Sequence, residues 1–141
     1  MPKRTPQIED EICRRLSEGE PLRQICRDAH MPSWVAVYDW INADEAFALR
    51  IAHARELGFD AIAESTLAIA DDATNDYMEK LDKDQLPIGY ILNGDHVQRS
   101  KLRIETRLKL LAKWSPKKYG ERTAIEHSGR VGLEALVADD E

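Results

Sequence analysis

The sequence predicts a mainly α-helical protein, and three observations carry that expectation. Apolar residues recur at helical spacing from Gln7 onward. Residues that cap helix N-termini stand in front of those runs, at Ser33, Asp44 and Asp95. Charged residues make up 33% of the chain and aromatic residues only 6%, which suits long helices with solvated faces.

Residues 1–6 read as a disordered arm, since two prolines oppose a helix and Lys3 and Arg4 are exposed charges. Ile8, Ile12 and Leu16 then share one face of a first helix. Glu9, Asp10 and Glu11 offset the dipole at its start, and Gly19 ends it. Pro21 suits the first turn of a second helix, with Leu22, Ile25 and Cys26 as its apolar face. Pro32 breaks that helix. Ser33 caps a third one running to about Asn42, with Val37, Trp40 and Ile41 inward. Three short helices with a turn between the second and third form a helix-turn-helix over residues 1–42.

Asp44 caps a far longer helix, reaching about residue 72. Its apolar period runs through Phe47, Ile51, Ala54, Leu57 or Gly58, Ile62 and Leu67, with many alanines between. At 1.5 Å per residue it spans roughly 43 Å, too long for so short a chain to cover, and the remainder invites partners. Between residues 73 and 94 the period breaks, and two short apolar segments flank a charged loop, as in a β-hairpin. Asn93-Gly94 reads as a turn and Asp95 as the cap of a second long helix carrying Leu108 and Leu111, with a final turn at 116–119 stopped by Gly120. The two long helices form an antiparallel hairpin over residues 43–120. Phe47, Ile51, Leu57, Ile62, Leu67, Leu108 and Leu111 are its candidate self-association residues. Residues 121–141 read as a short strand near 123–128 and an acidic tail. A lone strand is satisfied by identical strands from other copies, as in an intersubunit β-barrel.

The net charge is −6, but it is unevenly spread. Residues 43–96 carry 4 Lys or Arg against 12 Asp or Glu, whereas residues 97–122 carry 9 against 2. Either two oppositely charged helices face each other within or between subunits, or the basic block is a stripe for phosphates. No apolar run approaches the length of a membrane span, and the N-terminus lacks a signal peptide. These features predict a cytoplasmic protein with no membrane partner. Two cysteines, Cys13 and Cys26, fit buried thiols in a reducing compartment.

The sequence holds no recognisable catalytic motif. There is no phosphate-binding Gly-x-x-x-x-Gly-Lys run and no Gly-x-Ser-x-Gly elbow. Cys13, Cys26 and His30 fall short of a paired zinc motif. Asp71, Asp72 and Asp76 look like the acidic end of a helix rather than a metal site. No enzyme activity, cofactor or metal is expected. The helix-turn-helix offers candidate DNA contacts instead. Arg23 and Arg27 on the second helix and Arg14 on the first grip phosphates, while Ser33, Trp34 and Tyr38 on the third face outward. The alternative is a three-helix packing unit with solvated arginines.

Three blocks carry a resemblance to a known family. They are Ile12 to Ile41, with its Leu22-Arg23-Gln24-Ile25-Cys26-Arg27-Asp28 core; Asn93 to Arg107; and Leu111-Ala112-Lys113-Trp114-Ser115-Pro116-Lys117-Lys118-Tyr119-Gly120. In this order they resemble small terminase subunits of tailed double-stranded-DNA bacteriophages. The resemblance implies a ring of about eight to eleven copies packed through the central helices. It implies binding of the viral packaging site and delivery of that DNA to the large terminase subunit, which holds the ATPase and nuclease, in the host cytoplasm. Where this chain departs from the family, with Asp39 and an early exposed Trp34 on the third helix, DNA is expected to be held instead by Lys3, Arg4, Arg23 and Arg27 around the rim of a ring. Asp39 stands where family members often carry a basic residue. The competing reading is a helix-turn-helix transcriptional regulator, which binds a palindrome as a dimer.

Overall fold

The computed structural model describes residues 3–121. The strand and acidic tail expected beyond residue 121 lie outside the described residues. Six helices and one hairpin follow in order: α1 (Pro6–Ser17), α2 (Leu22–Ile25), α3 (Trp34–Ala43), α4 (Glu45–Asp71), β1 (Tyr77–Leu81), β2 (Pro87–Leu92), α5 (Gly94–Trp114) and α6 (Pro116–Tyr119).

Local chemistry accounts for most boundaries. Pro6 does not block α1 but opens it, because a helix's first residues need no N–H donor. Thr5 caps that helix by accepting the Ile8 N–H at 3.2 Å, so the arm is ordered from at least Thr5 onward. Ser33 and Asp44 cap α3 and α4 as their spacing predicts, accepting from Ala36 and Phe47 at 3.2 Å each. The start of α5 differs from expectation. Asn93, not Asp95, is the cap, and Gly94 is the first helical residue rather than part of a turn. The second helix is also shorter than expected. It is a single turn, and Arg27 lies beyond it in the connection to α3.

One apolar core joins the first four helices. Ile12 and Leu16 of α1, Leu22 and Ile25 of α2, Met31 from the connection, Val37 of α3, and Phe47, Ile51 and Ala54 of α4 are all buried together. Residue 42 therefore does not end the core of the helix-turn-helix. The first half of α4 is its fourth wall, with Trp40, Ile41, Cys13 and Cys26 half-buried around it.

The seam between α1 and α4 is set by Gly58, which is buried where Leu57 is largely exposed. A Cβ at position 58 would lie 2.1 Å from the Leu16 carbonyl oxygen. The chain also turns at Gly19, whose φ of +91° favours glycine, and a Cβ there would stand 3.1 Å from Ile62 Cγ1.

Beyond this head, α4 and α5 run antiparallel. Phe59 stacks on Trp114 at 5.9 Å between ring centroids, while at the other end Ile69 lies beside Val97 and Ile104. The intervening hairpin pairs Tyr77 with Leu92 through Lys80 with Gly89, and its register shifts between Lys80 and Leu81. Asp82 organises its turn by accepting the Asp84 and Leu86 N–H groups. Every residue of both strands is exposed, including Tyr77, Ile88, Tyr90 and Leu92. Isolated two-stranded hairpins are marginal in water, so this element lacks a partner within the described protomer.

The apolar candidates for self-association divide accordingly. Phe47, Ile51 and Leu111 have a different task, being buried inside the protomer. Ile62 is half-buried against the Gly19 turn. Leu57, Leu67 and Leu108 remain exposed.

Gly58→Ala tests the seam. Alanine gains about 1 kcal/mol of helix propensity over glycine, but the backbone oxygen of Leu16 must move, and overpacking of this kind costs about 1–3 kcal/mol. Because that oxygen belongs to the helix rather than to a flexible side-chain tip, the clash wins. The expected result is a lower urea midpoint, with Gly58→Val lower still; an unchanged or raised midpoint contradicts the close approach.

Candidate nucleic-acid interface

A cation contributes to phosphate binding only if a nearby carboxylate has not already neutralised it. The arginines of the head sort on this criterion. Arg15 is committed to Glu20, Glu11 and Asp28; its carboxylate partners, Glu20 first, hold its pKa above the ordinary arginine value. Arg50 pairs with Asp10 at 2.8 Å, and Arg14 with Glu18 at 3.1 Å.

Arg4, expected as a phosphate contact, is a clamp instead. It binds Glu9 of α1 and reaches Asp44 Oδ2 at 2.6 Å. Its guanidinium lies 5.0 Å from the Phe47 ring centroid and 5.7 Å from that of Trp40. The residue thus fastens the start of α1 to the junction of α3 and α4.

Among the described residues, Lys3, Arg23, Arg27 and Arg55 have no carboxylate within ion-pair distance. Arg23 lies 4.2 Å above the Trp34 ring, which keeps its charge while orienting its plane. Trp34 meets Tyr38 edge-on at 6.0 Å. The Tyr38 hydroxyl lies 3.5 Å from Arg55 Nη2, and the Arg55 guanidinium is 6.0 Å from the ring. The structure therefore brings Arg23, Trp34 and Tyr38 into one ladder across α2, α3 and α4, and adds Arg55 to it. The ladder borders a cleft of about 540 Å³ whose floor includes Leu22, Gly58, Phe59, Ile62 and Trp114.

Two expected contacts sit differently. Ser33 spends its hydroxyl as the α3 cap, and Arg27 projects from the turn after α2 rather than from that helix. Asp39 is exposed on α3. Arg55 was not among the sequence candidates. It adjoins buried Ala54 on α4, and its pairing with a tyrosine 17 residues earlier is tertiary. Cys13 and Cys26 are free thiols, and burial pushes both above the ordinary cysteine value. Their suggested third ligand, His30, instead places Nε2 3.0 Å from Glu11. Among the described residues no cluster could hold a metal ion, and no helix is long and apolar enough to cross a membrane.

A three-helix head with oriented arginines, built onto a helical stem with uncovered apolar surface, defines the class: helix-turn-helix proteins with a long-helix body. The model of the family described as "Bacteriophage Sf6, terminase small subunit-like" matches residues 4–126, and the chain belongs to that family. Three solved structures of the terminase small subunit gp1 of the bacterial virus Sf6, each with a single substitution, are similar to it. All are 30% identical, with 94% of this chain and 88% of that chain covered, at TM-scores of 0.64 to 0.65. No curated protein matches. Family membership gives the chain a role in phage DNA packaging.

The Arg4 clamp predicts a pH dependence. Arg4 chiefly, and the Phe47 N–H secondarily, hold the Asp44 carboxyl below its ordinary range. A lowered native pKa contributes stability that is present above roughly pH 4 and lost as pH falls through the native value. Asp44→Asn keeps the cap but removes the charge. Its urea midpoint should fall less steeply than wild type below about pH 4; parallel curves would show that the pair contributes nothing.

Proposed function

We propose that this chain is the DNA-recognition subunit of a packaging terminase. It forms a closed ring of copies, holds the viral packaging site against its helix-turn-helix heads, and presents that DNA to the large terminase subunit, whose ATPase and nuclease it regulates without catalysis of its own. The observation that carries the DNA contact is the sorting of arginines. Those on the α1 side are paired with carboxylates, whereas Arg23 beside Trp34 and Arg55 beside Tyr38 have no carboxylate partner among the described residues, and neither has exposed Arg27 in the turn after α2. Lys3 adds a cation near the start of the chain.

Asp39 repels phosphate, and the one amide side chain on α3, exposed Asn42, stands at the helix's C-terminal end rather than on its first turns, so each head binds weakly. Useful affinity then requires several heads on one DNA. Assembly is supported by the exposed hairpin and by Leu57, Leu67 and Leu108. Oligomers of this kind close by rotational symmetry.

Two measurements test the proposal. Light scattering of the purified protein should give a single species of about eight to eleven copies; a stable dimer would favour a repressor binding a palindrome. Arg23→Glu with Arg27→Glu should weaken binding to packaging-site DNA and flatten the dependence of log affinity on log salt by about 0.9 for each phosphate no longer neutralised. Arg14→Glu, at an arginine already paired, should change the slope far less. Equal effects from both would remove the argument from arginine sorting.

A further inference from the structure

Most charges of the basic and acidic blocks, among the described residues, do not pair with each other inside the protomer. Among the described residues, one ion pair joins α4 to the α5–α6 segment, Lys118 with Asp60 at 2.6 Å. Of the lysines and arginines of α5 only Lys101 pairs, with Glu105 of the same helix at 3.9 Å, and His96 near the helix start lies 3.6 Å from Asp76. Arg99, Arg103, Lys109 and Lys113 have no carboxylate partner there, and neither Glu64 nor Asp71 of α4 has a cation.

The helical period places these charges on definite faces. The α4-facing side of α5 carries Val97, Ile104 and Leu111. Arg99, Leu102, Arg103 and Leu110 lie away from that side, and all four are exposed. On α4, Glu64, Leu67 and Asp71 fall at i, i+3 and i+7, likewise exposed. Leu67 is 65% exposed and Leu102 56%. One stripe is leucine among carboxylates and the other is leucine among guanidiniums.

We propose that these stripes are the two halves of a contact between copies: the Arg99–Leu102–Arg103–Leu110 face of one protomer docks on the Glu64–Leu67–Asp71 face of the next. The inference rests on the ring reading and specifies its chemistry. Because the halves are different surfaces, the contact is head-to-tail and propagates around a ring. DNA fits the basic stripe less well, since phosphates leave Leu102 and Leu110 uncovered and the acidic stripe unmatched. Docking both covers the leucines and withdraws α5 from nucleic acid, which confines DNA contact to the heads. Charge steers the encounter and selects the pairing.

Complementary reversals test this. Arg99→Glu with Arg103→Glu makes both stripes acidic, and Glu64→Lys with Asp71→Lys makes both basic. Each variant alone should lose the assembled mass in light scattering. An equimolar mixture should reassemble into an alternating oligomer with an even number of copies, because the acidic α5 stripe of one then meets the basic α4 stripe of the other, and at the next contact the wild-type stripes meet. Circular dichroism checks that each variant keeps its helix. If either variant assembles alone, or the mixture stays dissociated, the inference is overturned while a ring built on other contacts stands. If Arg99→Glu with Arg103→Glu assembles normally but loses DNA binding, α5 is a nucleic-acid face and the inference fails. If wild type is monomeric at low salt and micromolar concentration, the ring reading itself fails and takes this contact with it.

Discussion

Everything in this molecule depends on α4 being shared. Its first half closes the head's core through Phe47, Ile51 and Ala54, and its second half forms the stem with α5. The hinge between these tasks is the Gly58 contact with the Leu16 carbonyl, where two helix backbones touch with no side chain between them. Full burial of side chains such as Ile12, Phe47 and Ile51 contributes about 1.5–3 kcal/mol each, whereas exposed ion pairs contribute about 0–1 kcal/mol. The apolar seam therefore holds head to stem, and the Arg4, Arg15 and Arg50 pairs orient what the seam has already joined. Because α4 continues without a break from head to stem, the position of the head's arginines is tied to the position of the stem's outer faces.

The same economy explains why few of the head's cations are available. α1 is acidic at its start, with Glu9, Asp10 and Glu11, and these residues capture Arg4, Arg50 and part of Arg15. Of the cations left over, Arg23 and Arg55 are held by aromatic rings rather than carboxylates. A ring face fixes a guanidinium's plane without cancelling its charge, so Arg23 is oriented before any ligand arrives. The head thus combines strong internal electrostatics with a small outward residue of positive charge, consistent with a chain whose net charge is negative.

Local signals in the sequence were largely sufficient for the elements. Ser33 and Asp44 cap as expected, the hairpin falls where Pro87 and the apolar segments place it, and Gly120 ends α6. The misreadings share a cause. Pro6 and Asn93-Gly94 are each compatible with a turn and with a helix start, and only the flanking cap geometry decides. Phe47, Ile51 and Leu111 belong to an apolar period that states which face is buried but not whether the burying surface is the same chain or another copy. Arg4 and Arg55 were illegible for the same reason: the residues that make one a clamp and the other part of the ladder lie 40 and 17 positions away.

The proposed function also accounts for why a packaging subunit of this design would act in numbers. On that reading, a head whose arginines without a carboxylate partner, among the described residues, are Arg23, Arg27 and Arg55 would discriminate poorly between sites by itself. A hairpin with both faces wet, and a stem with leucines at 56% and 65% exposure, cannot be the final state of either surface. Assembly resolves both problems through one act. On the proposed function it would cover the stem and set many weak heads at fixed spacing along one DNA, so that selectivity would come from the register of repeated contacts rather than from any single one. The rigid continuity of α4 is what lets the spacing of stems become a spacing of heads.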